Sequence, residues 1–131
     1  MVNTNTKSFW NNKKVFITGH TGFKGSWLCY LLLGMGAKVT GYSLKPPTKI
    51  NLYDELNLQK NINSIFGDIR DINLLEKSIK ESDPEVVFHL AAQPLVRDSY
   101  LDPLETYTTN IIGTANILES IKKIGSIEVF I

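Results

Sequence analysis

The stretch KVFITGHTGFKGSW, residues 14–27, places three glycines three residues apart directly after an apolar, β-branched run. The run predicts a strand and the following residues predict a helix, so the glycines fall in a strand-to-helix turn. Such a turn presents free backbone N–H groups and the positive end of a helix dipole, which favour a bound pyrophosphate. Gly19 would form the turn, Gly22 would let the backbone approach the phosphates, and Gly25 would let the helix pack closely. Without that context, the glycines could mark only a tight turn.

The order of residues in the turn separates two phosphate-binding motifs. A Walker A loop requires Gly-Lys-Ser or Gly-Lys-Thr, whereas here Lys24 comes before Gly25 and Ser26. A nucleoside triphosphatase is therefore not expected. The spacing G-x-x-G-x-x-G is also wider than the G-x-G-x-x-G fingerprint of many dinucleotide-binding domains.

The composition is typical of an ordinary globular protein, because 43% of the 131 residues are apolar and the formal net charge is +1. Lys and Arg are scattered, so no nucleic-acid partner is expected. The apolar runs are too short to span a bilayer and the N-terminus lacks a signal-peptide pattern, which predicts no membrane contact and a cytoplasmic location. The single cysteine, Cys29, allows neither a disulfide framework nor a thiolate metal cluster, and its apolar helical surroundings indicate a small core residue.

Five apolar segments alternate with helical patterns along the chain. We expect strands over residues 14–18, 37–44, 64–68, 85–92 and 127–131. The fourth segment is nearly all apolar instead of alternating, as in strands that helices cover on both faces. The alternation of strands and helices predicts an α/β fold with a mostly parallel, doubly wound sheet.

Helices are predicted after Gly25, over residues 72–82 and over residues 103–123. The residues that cap or begin and end these helices are Gly36, Asp71, Asp102, Pro103 and Gly125. The apolar face of the first helix is expected at Trp27, Leu28, Leu31, Leu32 and Met35. The buried stripe of the long third helix is expected at Leu104, Tyr107, Ile111, Ala115, Leu118 and Ile121.

Two further expectations concern polar parts of the chain. Glu76 and Lys80 stand four residues apart on the second helix and are expected to pair. Residues 45–61 are expected to be irregular, because Pro46 and Pro47 prevent a helix at their start.

The sequence stops at Ile131, inside the fifth predicted strand. We therefore expect a sheet truncated in that strand, and residues 1–131 to be the N-terminal portion of a longer protein whose C-terminal part is absent. The alternative is a short protein that completes its sheet by oligomerising.

Four motifs in this order resemble the extended short-chain dehydrogenase/reductase family, whose members have a Rossmann-type fold. They are TGHTGFKG (18–25), GDIRD (67–71), HLAA (89–92) and TNIIGTANILE (109–119). Within that family, GYSLKPPT (41–48) and HLAAQPLVRDSYLDPLETY (89–107) are most similar to the CDP-glucose 4,6-dehydratases.

The resemblance implies an NAD site. The pyrophosphate would contact the glycine turn, Asp68 and Ile69 would contact adenine, and residues 90–93 would lie under the ribose and nicotinamide. The implied contacts are Gly19, Thr21, Gly22, Phe23, Lys24, Gly25, Asp68, Ile69, Leu90, Ala91, Ala92, Gln93 and Thr109. By the same resemblance Asn110 would tie the long helix to neighbouring backbone, whereas the apolar setting of His89 indicates a hydrogen-bonded core histidine.

The end of the second strand departs from the family pattern. An acid that binds the adenosine ribose is usual there, but this chain has Ser43 with Lys45 nearby. These two residues could hold a 2′-phosphate or could bind NAD less tightly. NAD is favoured because the family's dehydratase reaction regenerates its cofactor internally.

The implied reaction removes water from a nucleotide sugar, CDP-D-glucose. NAD would take hydride from C4, water would leave across C5 and C6, and the hydride would return to C6. The product would be CDP-4-keto-6-deoxy-D-glucose, a precursor of deoxysugars in bacterial surface polysaccharides. No tyrosine here has a lysine four residues later, so the family's catalytic Tyr-x-x-x-Lys pair is expected beyond Ile131 and this chain alone is expected to be inactive.

Three alternatives stay open at this point. The protein could be a dehydratase for another sugar nucleotide, a 4-epimerase, or a non-catalytic dinucleotide-binding module. The family resemblance also implies a homo-oligomer for the full-length enzyme, with the long helix at its interface.

Overall fold

Five parallel strands form one sheet in the computed structural model, which describes residues 4–131. The strands are β1 (Lys14–Thr18), β2 (Lys38–Ser43), β3 (Asn63–Phe66), β4 (Val86–His89) and β5 (Val129–Phe130). Their order across the sheet is β3-β2-β1-β4-β5, so the direction of winding reverses between β1 and β4. The Rossmann-type doubly wound sheet expected from the sequence is therefore confirmed.

Helices cover both faces of this sheet. Their bounds are α1 (Thr4–Trp10), α2 (Phe23–Gly34), α3 (Leu52–Glu55), a 3₁₀ turn (Leu58–Lys60), α4 (Ile72–Ser82), α5 (Val96–Leu101), α6 (Pro103–Tyr107), a π-helical turn (Thr108–Ile112) and α7 (Gly113–Ile124). The last three segments follow one another without a break and form the long helix, residues 103–124. Within residues 4–131, no helix is long and apolar enough to cross a membrane.

Side chains that alternate along the strands build a separate core on each face. Val15 and Ile17 pack with Cys29 and Leu32 of α2 on one face. Phe16 packs on the other face against the core residues of α4 and α7. Both faces of the sheet are therefore covered and excluded from solvent, which explains why β1 and β4 are mostly apolar. Cys29 is fully buried, as the sequence predicted, and burial raises the pKa of its thiol to about 12.

The predicted caps are present. Asp71 accepts a hydrogen bond from the Leu74 N–H at 3.1 Å, and Asp102 accepts one from the Glu105 N–H at 2.9 Å. Gly36 and Gly125 follow their helices with φ of +88° and +70°, a conformation that glycine adopts at little cost. These ends were predictable because each depends on a few consecutive residues.

The predicted helix faces were partly wrong. Trp27 and Leu31 of α2 are 43% and 51% exposed, whereas Cys29 and Leu32 face the core. On the long helix, the buried residues are Gly113, Ile117 and Ser120. Of the predicted stripe, only Ile121 packs against the core, and the exposed members are Leu104, Tyr107, Ile111, Ala115 and Leu118.

Small residues explain which stripe of the long helix faces the sheet. A Cβ on Gly113 would overlap the side chain of Ile69, which follows β3, so the glycine lets the long helix pack closely against this segment. Apolar residues stand on more than one side of this helix, and their periodicity alone does not show which side is covered.

Two expectations about polar segments were also wrong. Glu76 accepts a hydrogen bond from Lys123 of α7 at 3.0 Å instead of pairing with Lys80, so it links two helices. Residues 45–61 contain α3 and the 3₁₀ turn, because Asn51 caps α3 by accepting from the Asp54 N–H at 2.9 Å. The helices α1 and α5 had no counterpart among the sequence predictions.

His20, in the turn after β1, is fully buried in a polar cluster on β3. Its Nε2 lies 2.5 Å from Ser64 Oγ, and the Tyr53 hydroxyl donates to the same oxygen at 2.8 Å. Gly41 makes room for the ring, because a Cβ at that position would overlap it. Burial lowers the pKa of His20 to about 4, so the imidazole is neutral in the fold.

We predict that this histidine makes the fold sensitive to acid. His20 protonates near its ordinary pKa of 6.5 when unfolded but near pH 4 when folded. The contribution of His20 to the free energy of unfolding is therefore complete above pH 6.5. It is lost as the pH falls towards 4, by up to about 3 kcal/mol. Urea unfolding between about pH 7.5 and about pH 4.5 should show this fall, and a His20→Gln variant should show a shallower one. If the free energy of unfolding fell equally with pH in the wild type and in the His20→Gln variant, the acid sensitivity would not come from His20.

Candidate functional site

The turn between β1 and α2 lies at the C-terminal edge of the sheet, where the winding reverses. Gly19 has a φ of +75°, and its N–H donates to the Tyr42 carbonyl of β2 at 2.9 Å. A Cβ on Gly19 would stand 2.7 Å from the Ala91 nitrogen and 2.8 Å from the Leu90 carbonyl carbon. Glycine is therefore required there both by the backbone angle and by contact with the segment after β4.

The N-terminus of α2 has no side-chain cap. Gly22 occupies the N-cap position with φ −75° and ψ 167°, and it has no side chain that could accept from the first helical N–H groups. Among residues 4–131, the N–H groups of Phe23, Lys24 and Gly25 have no acceptor. These donors and the helix dipole together leave a positive, open end at the edge of the sheet.

The third glycine of the turn is held by packing. A Cβ on Gly25 would overlap the Gly19 carbonyl oxygen, so the helix touches the turn itself. The expected close packing at Gly25 is therefore present, against backbone of the turn. Gly22 is different, because a Cβ there would meet only the Gly19 oxygen at 3.3 Å. No other such contact lies within 4 Å of that Cβ position, which leaves room at Gly22 for a pyrophosphate.

Two hydroxyl groups join this turn to the end of β2. Thr21 Oγ1 donates to the Leu44 carbonyl at 2.9 Å and lies 2.8 Å from Ser43 Oγ. Because the carbonyl takes the only Thr21 hydroxyl proton, Ser43 must be the donor in the second bond. Both residues are buried, and the Ser43 hydroxyl can offer only lone pairs to a further group. Lys45 is exposed and forms no ion pair within the described part of the chain.

The predicted adenine residues follow β3. The Asp68 carboxylate binds Arg70, whose Nε lies 3.0 Å from both carboxylate oxygens and which also pairs with Glu105. Hydrogen bonding to Arg70 lowers the pKa of Asp68. The Ile69 side chain is buried in the core, and its carbonyl accepts from Asn116 at 3.0 Å. The adenine contacts of these two residues stay a prediction.

The segment after β4 is fixed from two sides. Thr18 Oγ1 accepts from the N–H groups of Leu90 and Ala91, both at 3.1 Å. Asn110 accepts from the Gln93 N–H at 2.8 Å and donates to the Gln93 carbonyl at 3.0 Å, so it ties the long helix to this backbone as expected. Ala92 lies between these two anchors and is exposed.

Thr109 lies in the π-helical turn and is half-buried. Its hydroxyl forms no hydrogen bond with other residues that the structure describes, in contrast to the neighbouring Thr108, which donates to Leu104 at 2.9 Å. Neither the π turn nor the role of Thr18 was predicted from the sequence. The position of Arg70 two residues after Asp68 was the one available signal for their ion pair.

A sequence model of the GDP-mannose 4,6 dehydratase family matches residues 16–130. The chain belongs to this family. The matched residues include the glycine turn and all four motifs quoted above.

The similarity of the chain to one enzyme agrees with this assignment. The chain is 54% identical over 122 residues to a CDP-glucose 4,6-dehydratase of Salmonella typhimurium, covering 93% of this chain and 34% of the relative. This similarity confirms the resemblance to CDP-glucose 4,6-dehydratases that the motifs indicated.

Two solved structures share the fold. A UDP-glucose 4-epimerase of Thermotoga maritima, solved with UDP-glucose, is 33% identical with a TM-score of 0.76, covering 88% of this chain and 36% of that one. The Bordetella bronchiseptica enzyme WbmH, solved with NAD⁺, is 32% identical with a TM-score of 0.71, covering 87% and 36%. The chain therefore spans about a third of the length of these relatives.

Proposed function

We propose that residues 1–131 form the N-terminal, NAD-binding portion of a cytoplasmic nucleotide-sugar 4,6-dehydratase that acts on CDP-glucose. The observation that carries this proposal is the uncapped N-terminus of α2 above the Gly19 turn, at the switch point of the sheet. The 54% identity to a CDP-glucose 4,6-dehydratase supports the substrate, and the NAD⁺ complex of a family relative supports the cofactor.

The chain's own residues fit the dinucleotide as follows. The N–H groups of Phe23, Lys24 and Gly25 would bind the pyrophosphate, and the glycine at position 22 leaves space for it. Residues 90–93 and Thr109 would hold the ribose and nicotinamide half. When bound, the nicotinamide would accept and return the hydride of the sugar during dehydration. The apolar side chains that the long helix exposes are consistent with a homo-oligomeric full-length enzyme.

The hydroxyl pair at the end of β2 favours NAD over NADP. A ribose hydroxyl can donate to a Ser43 lone pair, whereas a 2′-phosphate needs a donor and Ser43 already gives its proton to Thr21. Lys45 is the cation next along the chain, but it is exposed to solvent, where a charge pair is weak.

The first test separates anion binding from folding. Gly22→Asp should cap α2 and leave the free energy of unfolding close to the wild-type value, because the cap offsets the tight 3.3 Å contact of the new Cβ with the Gly19 oxygen. Its carboxylate would occupy the same N–H groups as the pyrophosphate and repel it, so the Kd for NAD⁺ should rise at least about tenfold. The isosteric Gly22→Asn variant is the matched control and should lose less affinity. Unchanged NAD⁺ binding by Gly22→Asp would refute the proposed site.

A second test concerns the choice of dinucleotide. Thr21→Val keeps the side-chain shape but frees the Ser43 hydroxyl proton, so the affinity for NADPH relative to NADH should rise by about tenfold. Fluorescence titration with both reduced dinucleotides measures this ratio. Ser43→Ala serves as the control, since it removes the hydroxyl and should not favour NADPH. A ratio that is the same in wild type and Thr21→Val would show that the hydroxyl pair does not select the cofactor.

The substrate is tested on the whole enzyme. Incubation with CDP-glucose should produce a 4-keto-6-deoxy sugar, whose C6 methyl group is visible by NMR, with no net consumption of NAD⁺. UDP-glucose and GDP-mannose should react more slowly. Conversion of UDP-glucose to its 4-epimer, with C6 unchanged, would support an epimerase instead. Tight NAD⁺ binding without turnover of any sugar nucleotide would indicate a non-catalytic module.

A further inference from the structure

A chain of hydrogen bonds links the end of β1 to the π-helical turn through His89. Thr18 Oγ1 lies 2.7 Å from His89 Nδ1, and His89 Nε2 lies 2.9 Å from Thr114 Oγ1. Thr114 Oγ1 in turn lies 2.7 Å from the Asn110 carbonyl. Each end of this chain reaches the segment after β4, at residues 90–91 through Thr18 and at Gln93 through Asn110.

The direction of every bond in this chain follows from its last member. A carbonyl only accepts, so Thr114 must give its single proton to Asn110. His89 Nε2 must then donate to Thr114, which leaves Nδ1 of a neutral ring as an acceptor. Thr18 therefore donates to Nδ1, and its lone pairs are free to accept the two backbone N–H groups. No donor in the chain is left without an acceptor.

The π-helical turn brings the polar side chains of the long helix into line. Thr106, Asn110 and Thr114 stand four residues apart, and all three contact the segment of residues 89–93. In an α-helix a step of four residues overshoots a full turn by about 40°. The wider i→i+5 turn at residues 108–112 reduces that drift, so one face of the helix can meet both Gln93 and His89.

We propose that His89 is a positioning residue that, as the neutral Nε2–H tautomer, fixes the backbone of residues 90–93 beneath the dinucleotide. This inference rests on the proposed NAD site for its functional consequence, whereas the tautomer rests on the hydrogen bonds alone. An imidazole suits the role because its rigid ring presents an acceptor on one edge and a donor on the other. Burial lowers the pKa of His89, which agrees with a neutral ring.

The tautomer is tested directly by NMR. The chain has only two histidines, so the ¹⁵N signals of His89 can be assigned by comparison with a His20→Gln variant. We expect the shift pattern of a protonated Nε2 and an unprotonated Nδ1 near neutral pH. The reverse tautomer, or a signal averaged between the two, would overturn the proposed direction of the chain, whether or not the protein binds NAD⁺.

The positioning role is tested by binding. Thr114→Val removes the acceptor of the Nε2 proton while it keeps the side-chain shape, and the Kd for NAD⁺ should rise about two- to tenfold, as expected for one hydrogen bond. Thr108→Val is the matched control, because Thr108 also donates to a carbonyl of its own helix but does not touch His89. Thr114→Ser should restore both the tautomer and the affinity.

The possible outcomes are distinct. Equal Kd values for Thr114→Val and Thr108→Val, in a protein that binds NAD⁺, would refute the positioning role and leave the proposed function intact. A wild-type protein that binds no NAD⁺ would refute the proposed function and the positioning role together, while the NMR result would still decide the tautomer.

Discussion

The contact between the Gly19 turn and the segment after β4 is the constraint on which the site depends. It brings backbone against backbone, because a Cβ on Gly19 would lie within 3 Å of both Leu90 and Ala91. Two neighbouring strands must therefore end at the same level, and α2 must begin directly above them. The open helix N-terminus is a consequence of this geometry, since the chain turns back over the sheet with glycine at the N-cap.

Hydroxyl groups stabilise this arrangement from inside the protein. Thr18 accepts two N–H groups of the segment after β4, and Thr21 binds the end of β2 to the turn. Each hydroxyl has one proton, so the partner that takes it decides what the oxygen can offer elsewhere. The Ser43 hydroxyl can therefore offer only lone pairs to a further group. The Thr18 hydroxyl keeps both lone pairs for the backbone N–H groups of Leu90 and Ala91. The directions of these bonds therefore carry chemical information that distances alone do not.

Features that depend on consecutive residues were predictable from the sequence. The strand β1, the caps Asp71 and Asp102 and the left-handed Gly36 all follow from local patterns, and the structure has them. The buried face of the long helix was not predictable, because apolar residues stand on several sides and the close contact is made by the small residue Gly113 against Ile69. The partner of Glu76 lies 47 residues away on another helix, where local spacing gives no information.

The same distinction holds at the site. Motifs located the glycine turn and the segments after β3 and β4, but they did not show that the cationic Arg70 is already neutralised by Asp68 and Glu105. The positive character at the turn therefore comes from the backbone N–H groups and the helix dipole, together with the exposed Lys24. A rigid set of backbone donors fits one anion geometry and needs no side-chain ordering when it binds. A glycine turn can thus hold a doubly charged pyrophosphate in a chain whose formal net charge is only +1.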